Sequence, residues 1–70
     1  MNARDLEAFA KSNGASTRIT RVGTSFEVRA FVPTMKRDEF KAAAIAAGVR
    51  LTWNGSTNAR TLSVTLAARS

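Results

Sequence analysis

From Ser25 to Val32 apolar Phe26, Val28, Ala30 and Val32 occupy every second position, alternating with polar Ser25, Glu27 and Arg29 and then with Phe31. A period of two is the mark of a strand with one covered face. Residues 16–22, Ser-Thr-Arg-Ile-Thr-Arg-Val, are rich in β-branched side chains and predict a strand before it. Gly23-Thr24 separates the two as a tight turn, so the pair reads as a hairpin. The same signal returns in residues 49–53 and 60–67, with Asn54-Gly55 opening a loop that runs through Asn58.

Helical spacing fills the intervals. Leu6, Phe9, Ala10 and Asn13 form one stripe, which predicts a helix over residues 3–12. Asn2 caps it, Asp5 sits near the positive end of its dipole, and Asn13-Gly14 ends it. Pro33 stops the second strand. Thr34 is then expected to cap a second helix over roughly residues 35–47, with Phe40, Ala43, Ala44 and Ala47 on its stripe and Gly48 closing it. Ala68, Arg69 and Ser70 are expected to fray.

The order is α-β-β-α-β-β. It implies an α+β fold, with two helices packed on one face of a four-stranded, mainly antiparallel sheet, in a single domain spanning residues 1–70. It also resembles one αββ unit written twice in a pseudo-two-fold arrangement. Arg4-Asp5-Leu6 is echoed by Arg37-Asp38-Glu39-Phe40, and Gly14 by Gly48. Strand period places Ile19, Phe26, Val28, Ala30, Val32, Val49, Leu51, Trp53, Leu62, Val64 and Leu66 toward the helices. Leu6, Phe9, Ala10, Phe40, Ala43, Ala44 and Ala47 face them from the helices. The far side then carries Arg18, Thr20, Ser25, Glu27, Arg29, Phe31, Arg50, Thr52, Thr61, Ser63 and Thr65.

Composition narrows the chemistry. The chain has no Cys and no His, and its five acids are scattered in sequence, so neither a structural metal nor a cofactor is expected. Nucleophile elbows and Gly-rich phosphate loops are missing, because the four glycines are isolated. No catalytic constellation emerges, and a non-enzymatic protein is expected. The nearly apolar run Ala42–Val49 is too short to span a membrane, and residues 1–6 lack the features of a signal peptide, which makes a cytoplasmic protein the default.

The net charge is +6, and nine of the eleven cations lie between Arg4 and Arg50, so the charge belongs to the folded surface. Such a surface attracts polyanions, although net charge also serves solubility. Arg18, Arg29 and Arg50 on the open sheet face offer forked donors to phosphate, and Phe31 among them offers a ring on which a base can stack. The competing reading is a solvated sheet face, with Phe31 under a loop or at a dimer contact. Lys36 and Arg37 at the second helix start form another candidate anion site, set against a solvated first turn balanced by Asp38 and Glu39. Trp53 is read as capping the core, set against an exposed anchor at a binding edge, and Ile45, about 140° from the Phe40 stripe, is read as an exposed partner contact or a scattered surface residue.

A helix ending in Asn13-Gly14, a strand, Gly23-Thr24-Ser25 and a strand stopped by Pro33 resemble the opening segment of small HicA-type mRNA-cleaving toxins, over less than half of the chain. Those toxins have a double-stranded-RNA-binding-like fold and carry a catalytic His after the hairpin. This chain has no His, so the resemblance implies no cleavage activity.

The leading expectation is a small basic binding module that contacts nucleic acid through Arg18, Arg29, Phe31, Lys36, Arg37 and Arg50. The alternative is a stand-alone protein-interaction factor or inhibitor, of the phage or mobile-element type, that binds an acidic or nucleic-acid-binding protein of its host. A homodimer paired through exposed strand edges or sheet faces is compatible with both.

Overall fold

The computed structural model describes residues 1–68, and the expectation for Arg69 and Ser70 lies outside them. Helix α1 (Ala3–Ser12) leads into strands β1 (Ser16–Val22) and β2 (Ser25–Pro33). A single 3₁₀ turn (Thr34–Lys36) joins β2 to helix α2 (Arg37–Ala47), followed by β3 (Val49–Asn58) and β4 (Thr61–Ala68). The sheet is antiparallel throughout, in the order β1-β2-β4-β3.

Local chemistry explains most boundaries. The Asp5 N–H donates to the Asn2 side chain at 2.9 Å, and the Asn2 N–H donates to the Asp5 carboxylate at 3.1 Å, closing a capping box. At the other end Gly14 has φ +82°. The Gly14 N–H donates to the Lys11 carbonyl at 3.2 Å and the Ala15 N–H to that of Ala10 at 3.0 Å, which is the Schellman closure. Between β1 and β2, Gly23 has φ +61° and Thr24 a negative φ, the signature of a type II′ hairpin turn.

Two expectations fail. Thr34 does not cap α2: its side chain makes no capping bond, and its N–H donates to the Arg60 carbonyl at 2.8 Å. That bond ties it to the far hairpin and places it inside the 3₁₀ turn, so α2 starts only at Arg37 and has no side-chain cap. Asn54-Gly55 does not open a loop either. β3 continues to Asn58 with register shifts between Trp53 and Gly55 and between Ser56 and Asn58, and the chain reverses at Ala59-Arg60. Gly55, at φ +107°, lets the strand bulge and carry on.

The core is one cluster under the helices. Leu6 and Ala10 of α1, Phe40 and Ala44 of α2, and Val28, Ala30, Val32, Val49, Val64 and Leu66 of the sheet are buried in it, joined by Ala15. The fully buried alanines let both helices approach the sheet closely, and the Phe9 and Phe40 rings meet at 5.5 Å between the two helices. Three expected core residues are exposed. Ile19 is 37% and Phe26 61% exposed although both share the face of buried Val28. The helices leave both of them uncovered. Ala47 is exposed in the last turn of α2.

The αββ repeat is visible in the architecture. One sequence separation relates Leu6 to Phe40, Ala10 to Ala44, Gly14 to Gly48, and Ala15 to Val49; the residues of each pair share burial or a positive φ. The same separation relates Ala30 to Val64, which are partners in the central β2–β4 ladder. The pseudo-two-fold axis therefore passes through that pair.

Candidate nucleic-acid interface

The helices cover one side of the sheet and strand alternation sends the remaining side chains to the other. Strand register arranges these in rows. One row runs Arg18, Arg29, Thr65, Thr52 across all four strands, and the next runs Ser16, Phe31, Ser63, Gly55. Thr20 stands opposite Glu27, and Arg50 opposite Ala67.

Arg18 and Arg29 are thus direct cross-strand partners, and like charges in that position repel. The Arg29 guanidinium donates to the Glu27 carboxylate at 2.8 Å, which offsets one of the two charges. Arg18 has no ion pair among the described residues. Half-buried Phe31 stands between Ser16 and Ser63, so nothing bulky flanks it across the strands.

One residue of this face, Asn54, escapes the sequence reading, which also does not foresee the burial of a second, Ser63. β3 runs on past Trp53, and the Asn54 amide donates to the Thr65 hydroxyl on this face at 2.8 Å. The Ser63 hydroxyl is buried without a hydrogen-bond partner, beside side-chainless Gly55. Alternation places Ser63 on this face, whereas Asn54 is missed because Asn54-Gly55 reads as the start of a loop and ends the expected strand at Trp53.

The six expected contact residues do not form one surface. Arg18, Arg29 and Phe31 are contiguous. Arg50 is on the same face, two strands across and two residues along from the β2 arginine, about 12 Å away. Lys36 and Arg37 belong to the helical side. The Arg37 guanidinium lies 5.5 Å from the Trp53 ring, and Trp53 pairs with buried Val64 and packs against the core. The Lys36 ammonium lies beside Gly14, at the carbonyl end of α1. Arg37 thus stands near an aromatic ring and Lys36 near a helix C-terminus, whose partial negative charge favours a cation.

Elsewhere, a groove of about 380 Å³ between α2 and β3 is lined by Lys41, Ile45, Trp53 and Arg50. It contains no acid–base pair or nucleophile. Ile45 is exposed, as its angle from the Phe40 stripe requires. Among the described residues there is no cluster of three potential metal ligands, and no helix is long and apolar enough to cross a membrane. Comparison with protein families, curated proteins and solved structures finds no match to this chain.

Proposed function

We propose that the chain is a non-enzymatic binding module for nucleic acid, working in the cytoplasm, with the helix-free sheet face as its contact surface. The observation that carries this reading is the Arg18–Arg29 pair: two guanidinium groups opposed on a helix-free face, only one of them offset by a carboxylate. A phosphate set between them would turn a repulsion into two charge-assisted bonds. Thr52, Thr65 and Asn54 continue the row as hydroxyl and amide partners for backbone oxygens. Phe31, one row away, offers a stacking surface for an unpaired base, which favours single strands over duplex.

The test is fluorescence anisotropy with labelled single- and double-stranded DNA and RNA over a salt series. Affinity should fall steeply with salt, and Arg18→Ala or Arg29→Ala should lower the log–log slope by about one each, regardless of sequence. Phe31→Ala should weaken single strands by about 1–3 kcal/mol and leave duplex binding unchanged. Lys36→Ala and Arg37→Ala are the controls. No measurable binding in low salt, or loss confined to these controls, overturns the reading.

The exposed apolar residues Phe26, Met35 and Ile45 favour a second reading, an inhibitor or interaction factor with a protein partner. A stoichiometric protein retained in a pull-down after nuclease treatment would support that reading over the first.

A further inference from the structure

The two edges of the sheet differ. β3 is broken twice by register shifts, whereas β1 pairs with β2 over seven consecutive positions without interruption. β1 contains neither Pro nor Lys, every residue in it except Thr17 is exposed, and among the described residues no strand lies beyond it. Edges left in this state are templates for another strand, and folded chains usually blunt them.

The hairpin fixes which backbone groups face outward. A two-residue turn makes Val22 and Ser25 the closing hydrogen-bonded pair, and alternation then leaves the N–H and C=O groups of Thr17, Ile19 and Arg21 directed away from β2. An antiparallel partner strand must meet these three.

We propose that the occupant is a second copy of this chain, with β1 paired antiparallel to the partner's β1 about a two-fold axis at Ile19. This centring uses all seven residues of the strand. Arg18 falls opposite the partner's Thr20, Thr17 opposite the partner's Arg21, and Ser16 opposite the partner's Val22. Centring the pair on Arg18 or on Arg21 would instead set that arginine against its own copy, a like-charge contact that disfavours those registers. Ile19 is covered by the partner's Ile19 on the helical side, next to exposed Phe26.

Charge complementarity supports the same register. The Thr17 hydroxyl donates to the Glu7 carboxylate of α1 at 3.4 Å, so the partner's Arg21 arrives beside an acid. The other charge near Glu7 is Lys11, at 3.9 Å. Within one chain, the single hydrogen bond of the Arg21 side chain runs from Nε to the Gly23 carbonyl at 3.2 Å, which leaves its terminal donors free for an acceptor. Symmetry forms the Glu7–Arg21 contact twice. The two open sheet faces then join, bringing both Arg18–Arg29 pairs onto one continuous eight-stranded surface.

The test is sedimentation equilibrium of nuclease-treated full chain up to about 1 mM. The expected mass is twice that of the 7.5 kDa chain. Arg21→Glu and Glu7→Arg should each weaken association about tenfold or more, and the double variant E7R/R21E should restore it to within about threefold of the parent. Circular dichroism verifies that each variant is folded, and rescue by the double variant separates a contact between chains from a folding defect. A monomer at every concentration, a dimer insensitive to both single reversals, or a double variant no stronger than the singles overturns the proposal.

Discussion

The Ser63 hydroxyl sits in the middle of the sheet with no partner, a placement that costs about 1–3 kcal/mol relative to a satisfied group. Ser63→Ala removes the oxygen with little change in volume. It is expected to raise stability by up to about 1 kcal/mol, read as a rise of about 4–8 °C in Tm by calorimetry. An unchanged or lower Tm would mean that the hydroxyl is satisfied in solution. Individual residues were legible in the sequence to the extent that period alone decides them. Alternation sorted Arg18, Arg29 and Phe31 onto one face and Val28, Val32 and Val64 onto the other, and register agrees. Alternation carries no information on how far a helix reaches, and for that reason Ile19 and Phe26 were placed on the correct side and yet proved exposed.

At the level of elements, the two helices start in opposite ways. α1 has a reciprocal cap, while α2 grows from a 3₁₀ turn anchored by a backbone bond from Thr34 to Arg60. Asn2→Ala should therefore lower stability by about 1 kcal/mol, whereas Thr34→Ala should change it by less than about 0.5 kcal/mol. Urea denaturation of the two variants measures the contrast. Asn-Gly is a strong hairpin signal, and it misled at residues 54–55 because a single glycine with positive φ suits a bulge as readily as a turn. The true reversal has its own device, less visible from composition: the Asn58 side chain accepts from the Arg60 N–H at 2.8 Å, an Asx turn across Ala59. Helix termini with local capping chemistry were readable, and structure set by long-range pairing was not.

For the molecule as a whole, stability rests on very few side chains. A chain of this length has about 4–10 kcal/mol of net stability, and its largest fully buried side chain is Phe40. Phe40→Ala is expected to remove about 3–5 kcal/mol, enough to lower the urea midpoint by about a third or more, and an unchanged midpoint would show that the core re-forms around the gap. The pseudo-two-fold axis through Ala30 and Val64 gives each half the same task, an αββ unit whose inner strand leans on the inner strand of the other.

The departure from that symmetry has a larger consequence than its size suggests. An edge interrupted at two places cannot hold a long ladder, so the β3 side ends any growth of the sheet. A chain with two smooth margins could add copies indefinitely and form fibres. This one has a single uninterrupted margin, and if a second copy occupies it, as proposed, both smooth margins are used up and the assembly closes at two chains.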